Sequence, residues 1–238
     1  MKKISYILFS LLTLGSLIQS IYLKDFGGAG LCVITLLTLN LPYLIQKLFK
    51  LEIPVFLEVL LYIFIYTGIV LGSVYKFYDT LLMWDNILHY TAGFLASLAG
   101  YSLIYILNKK CKFSISSILI FCFSFSMMIG VMWEFIEFSC DCIIKGDMQK
   151  DSIVDSITTT ILGDKLSIND IDYTIIYSKD KEYRIDNGYL DIGLFDTMKD
   201  LFANFLGSIT YLILIYYYLV KNKCKFIDKL VIKKASSN

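Results

Sequence analysis

Apolar residues fall into six long blocks along the chain, at residues 4–23, 28–48, 55–75, 84–107, 113–138 and 194–220. A helix rises about 1.5 Å per residue, so roughly 20 apolar residues cross about 30 Å of hydrocarbon, and each block predicts a membrane-spanning helix. The second block contains Pro42 just after Asn40. A membrane helix tolerates proline where neighbours satisfy the freed carbonyl, so a kink is expected there and not a break. The first block follows Lys2 and Lys3 but is longer than the roughly 7–15 apolar residues of a secretion signal, and no small-x-small site closes it. It is read as a retained first helix.

Polar positions concentrate in one extended stretch, residues 143–193, between the fifth and sixth blocks. Residues 173–178 and 182–185 are rich in β-branched and aromatic side chains and flank Lys179-Asp180-Lys181, which predicts a short hairpin; Asp186-Asn187-Gly188 is a second turn signal. The chain carries no internal repeat and no low-complexity tract. The fold class expected is an all-α integral membrane protein: a single domain over residues 1–238 with six transmembrane helices. Residues 143–193 form a small extracytoplasmic loop, with its β-hairpin, between helices five and six.

Composition agrees. Hydrophobic residues make up 57% of the 238 and charged ones 18%, with mean hydropathy +0.65, against about 25% charged in soluble domains. The partner implied is a lipid bilayer. A net charge of +1 and a pI near 7.5 supply no basic field for a polyanion, which excludes nucleic acid as a partner. The single histidine excludes a site built from several imidazoles. Cys32, Cys111, Cys122 and Cys224 read as small hydrophobes, with no C-x-x-C pair among the six cysteines. Cys140 and Cys142 flank Asp141, where a thiol could ligate a metal, although the structural role is favoured.

Lysine placement orients the helices. With the N-terminus in the cytoplasm, the inside segments hold Lys2, Lys3, Lys47, Lys50, Lys109, Lys110, Lys112, Lys221, Lys223, Lys225, Lys229, Lys233 and Lys234, and the short outside loops hold only Lys24 and Lys76. Short cytoplasmic loops attract Lys and Arg, so both termini are expected to be cytoplasmic, in a multi-pass protein of the cell (inner or plasma) membrane. The 143–193 loop, with six basic and ten acidic residues, is then external; long loops cross regardless of charge.

Polar residues inside apolar blocks are the informative ones, since an ionised side chain at mid-bilayer costs about 2.5–3.5 kcal/mol even on the lenient insertion scale. Three groups occur at helical spacing: Asp85 and His89 at i and i+4; Glu134, Glu137 and Asp141 at i, i+3 and i+7; Asp196, Asp200 and Asn204 at i, i+4 and i+8. Each group lies on one helix face, and the predicted topology brings the start of span four, the end of span five and the start of span six to the same outer boundary. Six carboxylates against His89 and Lys199 leave a surplus of negative charge. Shared protons or one or two divalent cations would balance it. Oxygen ligands with one imidazole suit Mg²⁺ or Mn²⁺ best, with Fe²⁺ or Zn²⁺ as alternatives. Asp85, Asp141 and Asp196 read equally well as solvated helix-end residues, Asp196 as an N-cap. Gly93, Ser97 and Gly100 read as a close helix-packing face.

The order Trp84-Asp85 through His89 to Gly93, then Trp133-Glu134-x-x-Glu137, then Asp196-x-x-x-Asp200-x-x-x-Asn204-x-x-Gly207 resembles the YjdF-like family of bacterial inner-membrane proteins. It is similar, at a coarser level, to VanZ-like membrane proteins associated with glycopeptide resistance. Phe138 stands where the YjdF-like pattern has tryptophan, and Glu137 where the VanZ-like pattern has glutamine. The resemblance covers spans four to six and implies a six-helix membrane fold with a shared polar site, but no reaction.

Three functions stay open on the sequence. The first is an intramembrane, metal-assisted enzyme acting on a lipid or lipid-linked envelope substrate from the outer face. His89, Glu134, Glu137, Asp196, Asp200 and Asn204 would surround the cation, and Asp85 or Asp141 would serve as general base toward water, since no serine or cysteine nucleophile motif is present. The second is a transporter-like protein that binds cations or protons on the same carboxylates, and the third a structural membrane factor. The sequence leaves the oligomeric state undetermined.

Overall fold

A computed structural model describes residues 2–107, 113–162, 166–221, 227 and 229–235. Lys109, Lys110, Lys112, Lys165, Lys223, Lys225, Asp164, Cys111 and Cys224, all used in the sequence reading, lie outside the described residues. Six helical stretches are long and apolar enough to cross a membrane, at Lys2–Tyr22, Phe26–Phe49, Val55–Val74, Trp84–Leu107, Ile115–Ile144 and Leu194–Lys221. The six predicted spans are therefore all present. The chain divides into two compact units, Met1–Gly130 with Leu201–Asn238, and Val131–Asp200.

In the first unit, helix α1 (Lys2–Tyr22) turns at Lys24, which takes the left-handed conformation, and Asp25 caps α2 (Phe26–Thr38) by accepting the Gly28 N–H at 2.9 Å. The second span carries the expected kink: α2 stops at Thr38 and α3 (Leu41–Phe49) resumes with Pro42 in its first turn, while Leu39 and Asn40 between them keep right-handed helical backbone. Proline has no N–H to continue the ladder and its ring crowds the carbonyl four residues back. Asn40 fills the gap, donating from Nδ2 to the Leu36 carbonyl at 2.7 Å and accepting from the Tyr6 hydroxyl at 3.0 Å.

Strand β1 (Leu51–Glu52) leads to α4 (Val55–Ile65), which widens into a π-helical segment, Tyr66–Val74, that periodicity did not announce. A short α5 (Phe77–Thr80) follows, with the Tyr78 ring laid on Gly72, where a Cβ would come within 2.2 Å of it. The central helix is α6 (Trp84–Leu107): 44% of its apolar stretch is buried, against 17% for α1. The unit also takes in the first part of α7 (Ile115–Ser139) and the later part of α8 (Leu194–Lys221). Leu98, Tyr101 and Ile104 of α6 pack with Leu57, Cys122, Tyr211 and Ile215 into its core.

The basic C-terminal tail, legible only as positive charge, is part of this core. Ile227, Leu230 and Val231 are buried in it, and β8 (Lys233–Lys234) pairs antiparallel with β1, Leu51 opposite Lys234. Lys2 meets the same corner: its ammonium lies 3.0 Å from Glu58 and bonds Gln46 Oε1 at 3.1 Å and the Ile53 carbonyl. Lys2 and the Lys233–Lys234 strand thus gather at one end of this unit.

The second unit holds the end of α7, a π-helical turn at Cys140–Ile144, the polar loop and the start of α8. The predicted hairpin is present as β5 (Tyr173–Ser178) and β6 (Lys181–Asp186), with Lys179 left-handed in a two-residue turn. Asn187 and Gly188 form the second turn, at φ 60° and 151°, and a Cβ on Gly188 would meet the Val154 carbonyl at 2.4 Å, so only glycine fits. Two further ladders were not predicted: β2 (Ser152–Val154) with β7 (Tyr189–Asp191), and β3 (Ile157–Thr158) with β4 (Ser167–Ile168). Their two or three residues are too short to show an alternation.

Candidate functional site

Carboxylates converge in the second unit. Glu134 and Glu137 of α7 are buried while Trp133, Phe135, Ile136 and Phe138 around them are exposed. The spacing of three puts the two acids on one face of the helix and leaves the aromatic and aliphatic side chains on the lipid-facing surface. Asp200 of α8 is 1% exposed. Glu134, Glu137 and Asp200 each present a carboxylate oxygen within 4.8 Å of the others, and Asp196 and Asp200 lie as close to each other. Trp133 Nε1 donates to Glu137 Oε1 at 2.7 Å and fixes its rotamer. That i, i+4 pair was readable from spacing, and the sequence reading missed it. Lys199, counted with the cluster from the sequence, is exposed.

The magnitudes decide what such a group requires. Two unit charges 4.8 Å apart repel by about 3–4 kcal/mol at an effective dielectric of 20. Three ionised carboxylates at that spacing cost on the order of 10 kcal/mol, comparable to the whole stability of a domain. A cation among them, or protons on them, removes that load.

The two flanking acids serve the loop. Asp141 accepts the backbone N–H of Met148 at 2.7 Å on Oδ1 and that of Gln149 at 2.8 Å on Oδ2, closing the chain that follows α7 into a turn. Asp196 accepts the Lys150 N–H at 2.7 Å, and Gln149 Nε2 donates to Thr197 Oγ1 at 2.5 Å, so the loop is stapled to the first turn of α8. The capping role expected of Asp196 belongs to Asp191, whose Oδ2 accepts the Phe195 N–H at 2.9 Å. Cys140 and Cys142 are free thiols, half-buried and exposed.

In the first unit, Asp85 and His89 stand one turn apart on α6, with Nε2 3.4 Å from Oδ1 and the imidazole side chain 9% exposed. Asp85 occupies the first turn, where the helix dipole favours an anion. Asn204 is buried at a helix crossing: Nδ2 donates to the Ser126 carbonyl at 3.4 Å, and Ser126 Oγ donates to the Gly93 carbonyl at 2.9 Å. A Cβ on Gly93 would stand 2.0 Å from the Asn204 carbonyl, and one on Gly130 2.9 Å from its Nδ2. Gly207 meets the Tyr90 carbonyl as closely. The expected packing face is there, extended by the Ser97–Ser208 hydroxyl pair at 2.8 Å, and Asn204 is one of its contacts.

A family model described as "Predicted membrane protein (DUF2238)" matches residues 4–221. A Thermotoga maritima protein described as "Uncharacterized protein" is 30% identical over 105 residues, which make up 43% of this chain and 53% of the relative, so the chain spans about half of that relative's length. No solved structure matches significantly.

Proposed function

The chain belongs to the DUF2238 family of predicted membrane proteins, and on that premise we propose that its buried carboxylates hold a divalent cation, Mg²⁺ or Mn²⁺ by preference. The cation is used on a lipid or lipid-linked envelope substrate from the extracytoplasmic side of the cell membrane. The observation that carries this reading is the set of three buried acids, Glu134, Glu137 and Asp200, with oxygens within 4.8 Å of one another. Oxygen donors of that number and charge suit a hard cation.

His89 is the proposed nitrogen ligand. It is the chain's single imidazole, it lies buried, and it stands one turn from Asp85 on α6. Asp196, with an oxygen within 4.8 Å of Asp200, supports the site from the start of α8. A bound cation supplies charge stabilisation to a phosphoryl or carbonyl oxygen and acidifies a water. Asp85 takes the general-base role, because its carboxylate already sits against His89 Nε2, whereas both oxygens of Asp141 accept backbone N–H groups.

Elemental analysis of the purified protein tests the reading. About one equivalent of magnesium or manganese is expected, lost in the Glu134→Gln/Glu137→Gln double variant; equal metal content in both proteins refutes it. The orientation is tested by a reporter active only outside the cytoplasm, expected to work in the Lys179–Asp180 turn and to fail after Ala235.

A second reading, a cation- or proton-carrying protein, gains from the buried hydroxyls beyond Asn204, where Ser97, Ser126 and Ser208 are fully buried and Ser97 bonds Ser208. Acidification of sealed vesicles on imposing a potential would favour it over the enzyme.

A further inference from the structure

The first unit contains a groove of about 260 Å³ between α4 with its π-helical continuation and α6, walled by Leu60, Phe64 and Thr67 on one side and Thr91 and Leu95 on the other, with Trp84 at one end. Its lining is almost wholly apolar, and it runs along two membrane-spanning helices. From Trp84 to Leu95 is eleven residues of α6, about 16 Å at 1.5 Å each. That is half of a hydrocarbon core of about 30 Å, or one leaflet. Trp84 begins the span, at the depth where interfacial tryptophans sit. Its ring is held edge-on by Phe77, with centroids 4.9 Å apart, and its indole N–H is closed off from water with no hydrogen-bond partner among the described residues. A buried N–H without an acceptor has lost water and gained nothing in return, so an acceptor supplied by a ligand stabilises this arrangement.

We propose that the groove binds one acyl chain of a diacyl glycerophospholipid, with the ester carbonyl accepting from Trp84 Nε1. Three observations choose this occupant. The groove is one leaflet long, it is apolar along that length, and its single polar demand is for a neutral acceptor at the interfacial end, where such a lipid carries its ester. The inference deepens the reading above in one respect. Trp84 and Leu88, both in the groove lining, are sequence neighbours of Asp85 and His89, so a lipid seated there brings its ester and phosphate region to the end of α6 that bears these two proposed residues.

The test uses tryptophan fluorescence. The chain has two tryptophans, so in the full-length Trp133→Phe protein, in detergent with chelator present, emission reports Trp84 alone. Titration with phosphatidylglycerol brominated near the ester end should quench it saturably, at one lipid per chain. Thr91→Phe and Leu60→Phe, which fill the groove from opposite walls, should weaken binding at least ten-fold while melting as the parent does. A dialkyl-ether lipid, which lacks the carbonyl, should bind several-fold more weakly.

Quenching that rises linearly and equally in parent and filled variants overturns the proposal, as does a monomer–dimer shift on filling, which would make a second copy of the chain the occupant. If neither filled variant folds, the ester–ether comparison on the parent decides: equal quenching overturns the proposal. Because chelator is present throughout, the outcome is independent of the cation. Saturable binding beside a metal-free wild type would leave the groove and remove the ion reading, and the converse result would do the opposite.

Discussion

Two regions of this protein bury carboxylates in membrane-spanning helices and treat them in opposite ways. At the chain ends, Glu58 is 5% exposed and fully served by its own polypeptide. The Lys2 ammonium stands 3.0 Å from Oε2, Gln46 Nε2 donates to the same oxygen at 3.3 Å, and the Tyr62 hydroxyl donates to Oε1 at 2.9 Å. In the second unit, Glu134, Glu137 and Asp200 are equally buried and crowd charges of one sign within 4.8 Å. The first acid is held by a lysine of the chain itself; the second group concentrates like carboxylates, and there the proposed cation is placed.

The comparison breaks most decisively at Lys2. Lys2→Met leaves Glu58 buried without its ammonium; breaking a buried pair costs about 3–5 kcal/mol, and about 2–3 after allowing for the one-third exposure of the lysine. A large fall in melting temperature is expected, identical with and without chelator. A fall that depends on metal would show the two regions to be one system.

Next in size is the metal effect itself. A cation at about a hundred times its dissociation constant stabilises by about 2.7 kcal/mol, so chelator should lower the wild-type melting temperature, and Glu137→Ala or Asp200→Ala should abolish that difference. His89→Ala should act in the same direction more weakly, as one neutral ligand among charged ones. If chelator leaves the wild type unchanged and Asp200→Ala melts higher than wild type, shared protons are the better account and the cation is wrong.

Asp141→Asn sharpens the boundary between site and scaffold. It keeps one acceptor and turns an amide N–H toward a backbone donor, a loss of about 1–2 kcal/mol, and the chelator response should persist unchanged. Loss of that response would restore Asp141 to the site.

The smallest effect is expected in the hairpin. Arg184 lies over the Tyr173 ring at 4.2 Å and bonds Asp186 at 2.7 Å, and the bond to that carboxylate pushes its pKa up. The guanidinium is exposed and charged at any accessible pH, so Arg184→Ala should leave the melting curve in place. A clear shift would make the loop a part of the core.

Hydrophobic block length determined the spans, because a bilayer accepts only segments whose backbone is satisfied internally. Period-3.6 spacing determined that Glu134 and Glu137 share a face, and the β-branched runs around Lys179-Asp180 determined the hairpin. These are local signals, carried by residues close in sequence. What the tertiary structure decided involves partners far apart in the chain. It braced the kink of the second span at Asn40, where Tyr6 from another helix takes the side chain, and it gave Glu58 a lysine 56 positions away. It folded the basic tail onto β1, and it gave both oxygens of Asp141 to the loop while leaving Asp200 among the buried acids. A carboxylate in a sequence looks the same whether it caps a helix, staples a loop or pairs with a lysine. Only the groups packed around it, and the charge they bring, distinguish the three.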